Sequence, residues 1–295
     1  MSRILYWTLL IPISILPYWV LYRVSDFFFV VLYYILGYRK KVVRQNIDRS
    51  FPDKSQQEKR KIERGFYRHF CDLIIETVKQ FTVSKSQANK RMTHQNVEAF
   101  HPFESKNQSV MICGGHYNNW ELWAITGPLH LKHKVVGIYK KIADPFFDEK
   151  MRSTRGRFGT LLVRTLDIGQ YLKDNHNKFI VPVFAIDQSP ANPRKSYWTT
   201  FLNQETACYY GPEKISREYQ FPIIYAHIYK VKRGYYTTVY ELIEAEPQNC
   251  DKGQIIERLN QALTADIMKQ PSSWLWSHKR WKHKRPEGVA FQHIH

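Results

Sequence analysis

The residues best suited to acid–base chemistry lie in one short stretch, where an apolar segment ends in two glycines. His116 directly follows Gly114 and Gly115, and Glu121 comes five positions later, at the head of an apolar, helix-like segment. Residues five apart on one helix lie about 140° apart around its axis, so His116 and Glu121 can meet only if His116 precedes the helix. The stretch therefore predicts a strand, a tight turn that carries His116, and a helix.

In this arrangement His116 would act as a general base. The two glycines can take backbone angles that other residues avoid, and Asn118 or Asn119 can cap the new helix. Glu121 would reach back to one ring nitrogen of His116, fix its tautomer and raise its basicity, leaving the other nitrogen to take a proton. This is a base with an orienting carboxylate and no protein nucleophile.

Two simpler interpretations compete with this one. His116 could be a structural histidine with its hydrogen bonds satisfied, since His-x4-Glu alone is a weak pattern. Cys113 could be considered a nucleophile, but it lies within the predicted strand and has no separate base nearby in the sequence. We therefore expect Cys113 to be a small buried residue.

The stretch from Gly114 to Glu121 resembles the His-x4-Asp/Glu block of membrane-bound glycerolipid acyltransferases, and especially of the lipid A late acyltransferases. Further blocks follow in order. Residues 39–52 are similar to the family's Arg-x-x-Val-x-x-Asn-Leu…Phe-Pro segment, and 276–288 to its Trp-x-His-x-Arg-Phe-Lys…Arg-Pro-Glu-Gly signature, with Trp281 in place of Phe. The resemblance implies an α/β fold with a central, mostly parallel or mixed β-sheet flanked by helices.

The same resemblance suggests substrate-binding residues. The segment 151–164 combines arginines with glycines, as a phosphate cradle would, although a solvated basic loop has the same composition. The family's important arginine maps near Arg155, with Arg152 and Arg157 as alternatives. Asp187 and Gln188 end a buried strand, where α/β sites form, and match the family's Asp-Gln/His block; the alternative is a strand-end turn. The expected substrate-binding set is Gly115, Asn118, Arg155, Arg164, Asp187, Gln188 and Arg280.

The N-terminal residues predict a membrane anchor. Positions 4–22 carry no charge and are long enough to cross a bilayer, and a shorter apolar run at 27–36 would lie at the interface. A helical hairpin that enters and returns is the alternative. We expect an anchor at 1–37, an acyltransferase domain at 38–288 and a tail at 289–295. The basic residues that follow the anchor favour a cytoplasmic catalytic domain, and the resemblance implies a bacterial inner membrane.

The composition of the chain limits the kinds of binding partner and cofactor to expect. The 295-residue chain has a net charge of +18 and 15% aromatic residues, which favours anionic lipid headgroups, nucleic acid or an acidic carrier protein as partners. The four cysteines are far apart, so we expect neither a metal site nor a disulfide framework. No phosphate loop or dinucleotide fingerprint is present, so we expect no bound cofactor, and we expect a monomer.

Together with the residues around His116, the resemblance implies an O-acyltransferase that moves a fatty acyl chain from acyl carrier protein, or alternatively from acyl-CoA, to a hydroxyl of a lipid A precursor or a related bacterial glycolipid. We also expect an apolar trough for the chain beside His116. The alternatives are an acceptor from another lipid class, such as an aminolipid or lysophospholipid, and a non-catalytic basic protein that binds membrane or nucleic acid. Against nucleic acid, the sequence lacks helix-turn-helix, zinc-finger and aromatic-platform motifs.

Overall fold

The computed structural model describes residues 2–292, so Met1 and the last three residues of the predicted tail at 289–295 lie outside it. Its β-strands are β1 (Met92–Gln95), β2 (Met111–Gly114), β3 (Lys134–Tyr139), β4 (Leu161–Arg164), β5 (Ile180–Ala185), β6 (Tyr197–Phe201), β7 (Gln204–Cys208), β8 (Ile223–Lys232) and β9 (Tyr235–Glu244).

The α-helices are α1 (Ser2–Leu5), α2 (Ile11–Ile15), α3 (Tyr18–Val30), α4 (Lys40–Ser50), α5 (Gln56–Lys79), α6 (Lys85–Arg91), α7 (His101–Glu104), α8 (Trp120–Thr126), α9 (Pro145–Gly156), α10 (Ile168–Asn175), α11 (Gly211–Tyr219) and α12 (Gln254–Lys269). Two π-helical turns, Tyr6–Leu10 and Val31–Ile35, extend the N-terminal helices.

Seven strands form one sheet in the order β1-β9-β8-β2-β5-β3-β4. Every neighbouring pair is parallel except β8 and β9, which are antiparallel. Strands β6 and β7 form a separate antiparallel hairpin. The predicted α/β fold with a central, mostly parallel sheet flanked by helices is confirmed.

Apolar residues on both faces of β2 explain why this strand lies in the centre of the sheet. Met111 and Cys113 pack into one hydrophobic core with residues of α5, α10 and α12. Ile112 points the other way, into a second core with residues of α6, α7 and α8. A strand buried on both faces reads as a continuous apolar run, as this one does. The layers on the two sides hold the end of β2 rigidly in place.

The N-terminal residues differ from the prediction. The expected span at about 4–22 is not one helix. The helical run Ser2–Ile15, which joins α1, the first π-helical turn and α2 and is called the first helix below, ends at Ile15, and Leu16 is extended, with ψ 148°. The residue before a proline is disfavoured in the α region, and Pro17 follows here. A new helix runs over Tyr18–Ile35, which includes most of the segment at 27–36 that we expected at the interface. Within the described residues, this is the one helix long and apolar enough to cross a membrane by length and composition.

Candidate active site

The strand register brings His116 and Asp187 together. Strands β2 and β5 are parallel neighbours, and their last paired residues are Gly114 and Ala185. His116 and Asp187 each lie two residues beyond that pair, so the two residues leave the sheet side by side. The backbone N–H of Ile186 also donates to the carbonyl of Gly114 at 3.0 Å, which holds the two strand ends together.

Asp187 holds His116 through both of its carboxylate oxygens. Asp187 Oδ1 lies 2.7 Å from His116 Nδ1, and Oδ2 accepts the backbone N–H of His116 at 2.9 Å. The indole N–H of Trp274 also donates to Oδ2, at 2.9 Å. The side chain of Asp187 is 2% exposed and that of His116 is 21% exposed. The carboxylate is thus buried behind the ring, and the ring reaches the surface.

This geometry leaves one imidazole nitrogen for chemistry. With Nδ1 bonded to the carboxylate, Nε2 is the nitrogen that can take a proton. Burial lowers the pKa of His116, but the charge and hydrogen bond of Asp187 outweigh it, so the pKa is raised above its ordinary value. Burial raises the pKa of Asp187, yet the contacts with His116 and Trp274 bring it down to about 2. The carboxylate therefore stays ionised behind a strengthened base.

Glu121 does not orient His116, which corrects the expectation from the sequence. Its two carboxylate oxygens accept from Arg155 Nε at 2.8 Å and Nη2 at 2.6 Å. The reason is tertiary packing: Glu121 lies in the first turn of α8, and α9, which carries Arg155, packs against α8. The charges of both residues act on the pKa of His116, Glu121 raising it and Arg155 lowering it. The ion pair thus lies beside the imidazole without bonding to it.

Of the three candidate arginines, the structure brings Arg155 to the site. Arg157 instead donates to the backbone carbonyls of Gln80 and Val83. Arg152 is exposed and lies 5.9 Å from the centroid of the Tyr139 ring. Arg155 is 22% exposed and forms a two-pronged pair with Glu121, a geometry that lysine cannot reproduce.

The two glycines support the turn, but for a different reason than expected. Among residues 2–292, the glycines with positive φ do not include Gly114 or Gly115. A Cβ on Gly115 would lie 2.7 Å from Leu263 Cδ1 and 3.7 Å from Asp187 Cβ, so glycine is needed for close approach. Of the two candidate caps, Asn118 and Asn119, it is Asn119 that caps α8, by accepting from the N–H of Leu122 at 2.8 Å.

Three predicted substrate-binding residues do not face the site. Asn118 is fully buried and donates to the carbonyl of Ile228 at 2.6 Å. Arg280 is 2% exposed and donates to the carbonyl of Ala207 at 2.6 Å. Arg164 ends β4, three strands from β2 and hence about 14 Å away, and it pairs with its neighbour Asp167. The first two hold the fold together, and the third lies at the sheet edge.

The C-terminal segment contributes residues that the His-x4-Glu pattern did not reveal. Residues 273–275 run beside the His116 turn, with Leu275 N–H donating to the His116 carbonyl at 3.2 Å. This places Trp274 against Asp187. Further along, His278 Nε2 accepts the N–H of Ser189 at 3.0 Å, and burial lowers the pKa of His278 to about 4. The density of tryptophans in 274–281 was the available sequence signal.

Cys113 is buried as expected, and burial raises the pKa of its thiol, so it cannot serve as a nucleophile. Two cavities lie at the surface. One, of about 390 Å³, is lined by residues 230–232 and 270–273, and the other, of about 570 Å³, is lined by the basic helix α4. Neither is lined by His116 or Asp187. The site is therefore defined by its side-chain geometry, and the acyl trough remains a prediction.

The structure thus holds a partly exposed imidazole against a buried carboxylate at the carboxyl ends of two adjacent parallel strands, and such a pair is chemically able to accept a proton. The chain matches the model of the family described as "Bacterial lipid A biosynthesis acyltransferase" over residues 2–283, and it belongs to that family. It is accordingly an acyltransferase.

Curated relatives agree with this assignment. A lipid A biosynthesis palmitoleoyltransferase of Escherichia coli is 22% identical over 87% of this chain and 82% of its own length. A lipid A biosynthesis acyltransferase of Haemophilus influenzae is 24% identical, over 84% and 79%. A lipid A biosynthesis lauroyltransferase of Escherichia coli is 21% identical, over 93% and 89%.

Proposed function

We propose that this protein transfers a fatty acyl chain from an acyl thioester to a hydroxyl group of a lipid A precursor. Family membership supports the acyl transfer and the acceptor class. The observation that carries the mechanism is the His116–Asp187 pair, in which the carboxylate occupies Nδ1 and leaves Nε2 as the proton acceptor, on a side chain that is 21% exposed.

In the proposed reaction His116 Nε2 takes the proton of the acceptor hydroxyl as its oxygen attacks the thioester carbonyl carbon. A new C–O bond forms, and the tetrahedral intermediate collapses with cleavage of the C–S bond. The departing thiolate receives the proton back from the imidazolium. Asp187 keeps the ring in one tautomer and stabilises its transient positive charge. The transfer is direct, and no acyl-enzyme forms.

The negative charge on the tetrahedral oxygen needs hydrogen-bond donors. The backbone N–H of His116 is already bonded to Asp187, so that part of the glycine turn is not free to serve. The side-chain amide of Gln188 lies 3.3 Å from His116 Nε2, next to the place where the hydroxyl would react. We therefore assign Gln188 as the candidate oxyanion donor, a contact whose loss costs about 10²-fold or more in rate.

Arg155 is the candidate for holding a phosphate of the substrate. Its Nε and Nη2 are used by Glu121, and Nη1 makes no hydrogen bond within residues 2–292. The ion pair holds the guanidinium near enough for its charge to act on His116, and the Arg155 side chain is 22% exposed. A phosphorylated sugar or a phosphopantetheine arm could bind the remaining N–H groups of this guanidinium.

The acyl donor we favour is an acidic acyl carrier protein, with acyl-CoA as the alternative. The net charge of +18 supports the attraction of such a partner. We place the enzyme at the bacterial inner membrane with its catalytic domain on the cytoplasmic face, without a bound cofactor and without a nucleic-acid partner. The apolar N-terminal helix supports the membrane location.

The test is a transfer assay with purified protein. Acyl carrier protein and CoA thioesters of several chain lengths are offered with a lipid A precursor, a lysophospholipid and a hydroxylated aminolipid, and the products are identified by mass spectrometry. We expect a new ester on the lipid A precursor and faster transfer from the carrier protein. Transfer to one of the other acceptors alone would overturn the acceptor assignment, and an unchanged lipid profile in a deletion strain would argue against the function.

A further inference from the structure

The N-terminal helices do not project away from the catalytic fold. Both ends and the middle of the helix over Tyr18–Ile35 contact α5, which packs in turn on the central sheet. The residues on its α5-facing side recur every four positions, at Leu21, Ser25, Phe29 and Tyr33, and all four are buried. This spacing is one face of a helix, so the helix is attached to the protein along its length.

At its start, the helix is tied to the end of α5. The ammonium group of Lys79 donates to the carbonyls of Ile15 and Leu16, at 3.3 and 3.0 Å, and Thr82 Oγ1 donates to the carbonyl of Ser14 at 2.6 Å. These bonds satisfy carbonyls that the break before Pro17 leaves without a helical partner. The bend is therefore a built feature that directs the chain back along α5.

The middle of the helix makes polar contacts that are mostly buried. Ser25 Oγ donates to Asp72 Oδ1 at 2.7 Å, and Tyr22 Oη donates to Glu76 Oε1 at 2.9 Å. Arg233, on the turn between β8 and β9, bridges Asp72 and Asp26. The polar side chains of Tyr22, Ser25 and Asp26 are thus all bonded to residues of the catalytic domain.

The far end returns to an earlier turn of α5. The rings of Tyr33 and Tyr67 have centroids 5.1 Å apart, and Tyr67 Oη donates to the carbonyl of Tyr38. The helix thus runs antiparallel to α5, from Lys79 at one end to Tyr67 at the other.

A membrane-crossing arrangement conflicts with these contacts. If Tyr18–Ile35 crossed a bilayer, the part of α5 bound to it would have to enter the hydrocarbon with Asp72, Glu76 and Lys79. The preceding helix would lie beyond the far leaflet, yet Tyr6 packs against Phe81 with ring centroids 5.1 Å apart. Charged side chains inside the hydrocarbon of a bilayer are strongly disfavoured.

The opposite side of the helices carries large apolar side chains that nothing in the described chain covers. Trp19 is 70% exposed, Phe27 66% and Ile35 72%, and on the first helix Ile4 and Trp7 are also largely exposed. Contiguous exposed apolar side chains mark an interaction surface, and tryptophan is typical of membrane interfaces.

Arg23 lies among these exposed residues and makes no ion pair within residues 2–292. From a helix that lies in the interface, such an arginine can extend its guanidinium to lipid phosphates while its methylene groups stay along the apolar surface.

We propose that residues 2–36 bind an anionic bilayer from one side, with both helices lying in a single leaflet and both ends on the same side as the catalytic fold. The inference rests on the membrane association in the proposed function and specifies its form. It also gives the first helix a role: Tyr6 packs on Phe146 of α9, whose last turn carries Arg155. The site is thereby held at a fixed distance from the lipid surface.

Cysteine labelling tests the topology. All four native cysteines are buried, so they give little background. Ser2→Cys reports on the start of the chain, and Gln45→Cys, exposed on α4, reports on the catalytic side. Each variant is treated with a membrane-impermeant maleimide in spheroplasts and in inside-out vesicles, with labelling in detergent as the measure of total reactive thiol.

We expect both positions to react from the same side, with more than about tenfold preference. Reaction of Ser2→Cys from the side opposite to Gln45→Cys, or protection of Ser2→Cys from both sides, would overturn the proposal. Transfer activity of the two variants is measured in detergent alongside. Active protein with opposite-side labelling would reject the topology alone, and same-side labelling with inactive wild-type protein would reject the acyltransferase mechanism alone.

Liposome binding tests whether the exposed apolar side of these helices contacts the membrane. The double variant F27D/I35D should lower partitioning into vesicles of phosphatidylethanolamine and phosphatidylglycerol by more than about tenfold. The matched control is Met268→Asp, an exposed apolar residue on α12, which should bind as the wild type does. Equal losses in both variants, or no loss in either, would contradict the assigned membrane face.

Discussion

Two histidines in this protein are held by buried aspartates with almost the same geometry. His116 Nδ1 lies 2.7 Å from Asp187, and His227 Nδ1 lies 2.8 Å from Asp266. The aspartate side chains are 2% and 1% exposed. In both pairs burial lowers the pKa of the histidine and the carboxylate outweighs it, so both pKa values are raised. Neither the partner nor the pKa separates the two.

The second ring nitrogen and the position in the fold do separate them. His227 Nε2 is taken by Glu241 at 2.7 Å, and His227 lies within β8, under α12. His116 lies on a turn beyond a strand end, and within residues 2–292 the hydrogen-bonding contact of its Nε2 is a longer one, to the amide of Gln188 at 3.3 Å. A proton acceptor needs an unoccupied nitrogen that substrate can reach. The comparison therefore supports the catalytic role proposed for His116 and favours a structural role for His227.

The largest effect on activity is expected when His116, the proposed base, is replaced. His116→Ala should lower kcat/KM by about 10²–10⁴-fold, because it removes the general base. His227→Gln should stay within about threefold of wild type. Initial rates with a purified acyl thioester and lipid acceptor measure both. Similar losses in the two variants, with both proteins folded by circular dichroism, would refute the distinction.

Replacing the carboxylate should have the next largest effect. Asp187→Asn keeps the shape but removes the charge that fixes the tautomer of His116, so we expect kcat to fall by about 10²–10³-fold. Asp266→Asn serves as the matched control and should retain activity. A rate near wild type for Asp187→Asn would show that the carboxylate does not support the base.

The pH profile of Asp187→Asn tests the direction in which Asp187 shifts the pKa of His116. Activity requires neutral His116, so the rate should rise with pH through the His116 pKa, which lies above 6.5 in the wild type. Removing the negative charge of Asp187 lowers that pKa. The acidic limb of kcat/KM for Asp187→Asn should therefore shift to lower pH, and a shift to higher pH would contradict the assignment.

The sequence alone could indicate His116 but not its partner. A strand ending in glycines, followed by histidine and a helix, is a local pattern, and the structure contains it. The contact with Asp187 depends on β2 and β5 being neighbours, although 71 residues separate the two side chains. Glu121 is closer in sequence, so the sequence predicts Glu121 as the orienting carboxylate. Its true partner, Arg155, is on a different helix, and only tertiary packing brings that helix to α8.

The N-terminal residues show the same limit. The length of an uncharged run predicts a span, and 4–22 is such a run. Backbone chemistry at Pro17 divides it, and the longer helix begins after the break. The charges of Arg23 and Asp26, which interrupted the pattern in the sequence, lie inside that helix, and Asp26 is paired with Arg233 from the sheet. Local hydropathy could not reveal that partner.

A smaller effect should come from the ion pair beside His116. Arg155→Lys keeps the charge but loses the two-pronged contact with Glu121, so we expect KM for a phosphorylated acceptor to rise by about tenfold, with a smaller change in kcat. Arg152→Lys is the matched control on the same helix and should change neither constant. If Arg152→Lys raised KM as much, the choice of Arg155 among the clustered arginines would be wrong.

Trp274 should act through Asp187, as a positioning residue. Trp274→Phe removes the indole donor to Oδ2 and leaves the carboxylate less restrained, so kcat should fall by about fivefold with KM unchanged. Trp276→Phe is the control, because that indole is also buried but donates to the carbonyl of Pro271 at 2.6 Å. Each variant should lose about 1–3 kcal/mol of stability. Equal kcat values for the two variants would reduce Trp274 to a packing role.

The smallest effect on activity should be the most informative about stability. His227 bridges Asp266 and Glu241, so His227→Gln should reduce the free energy of unfolding by about 1–3 kcal/mol near pH 6. The pKa of His227 is raised in the folded protein. Its contribution is therefore fully present below the unfolded pKa of about 6.5 and is lost as pH rises through the folded value.

Urea unfolding of wild type and His227→Gln should show a stability difference that is large at pH 6 and small at pH 9. A difference that grows with pH would mean that His227 is neutral in the folded state. The second histidine–aspartate pair would then stabilise the sheet through hydrogen bonds alone, while the pair at His116 would still rely on charge to prepare its free nitrogen for catalysis.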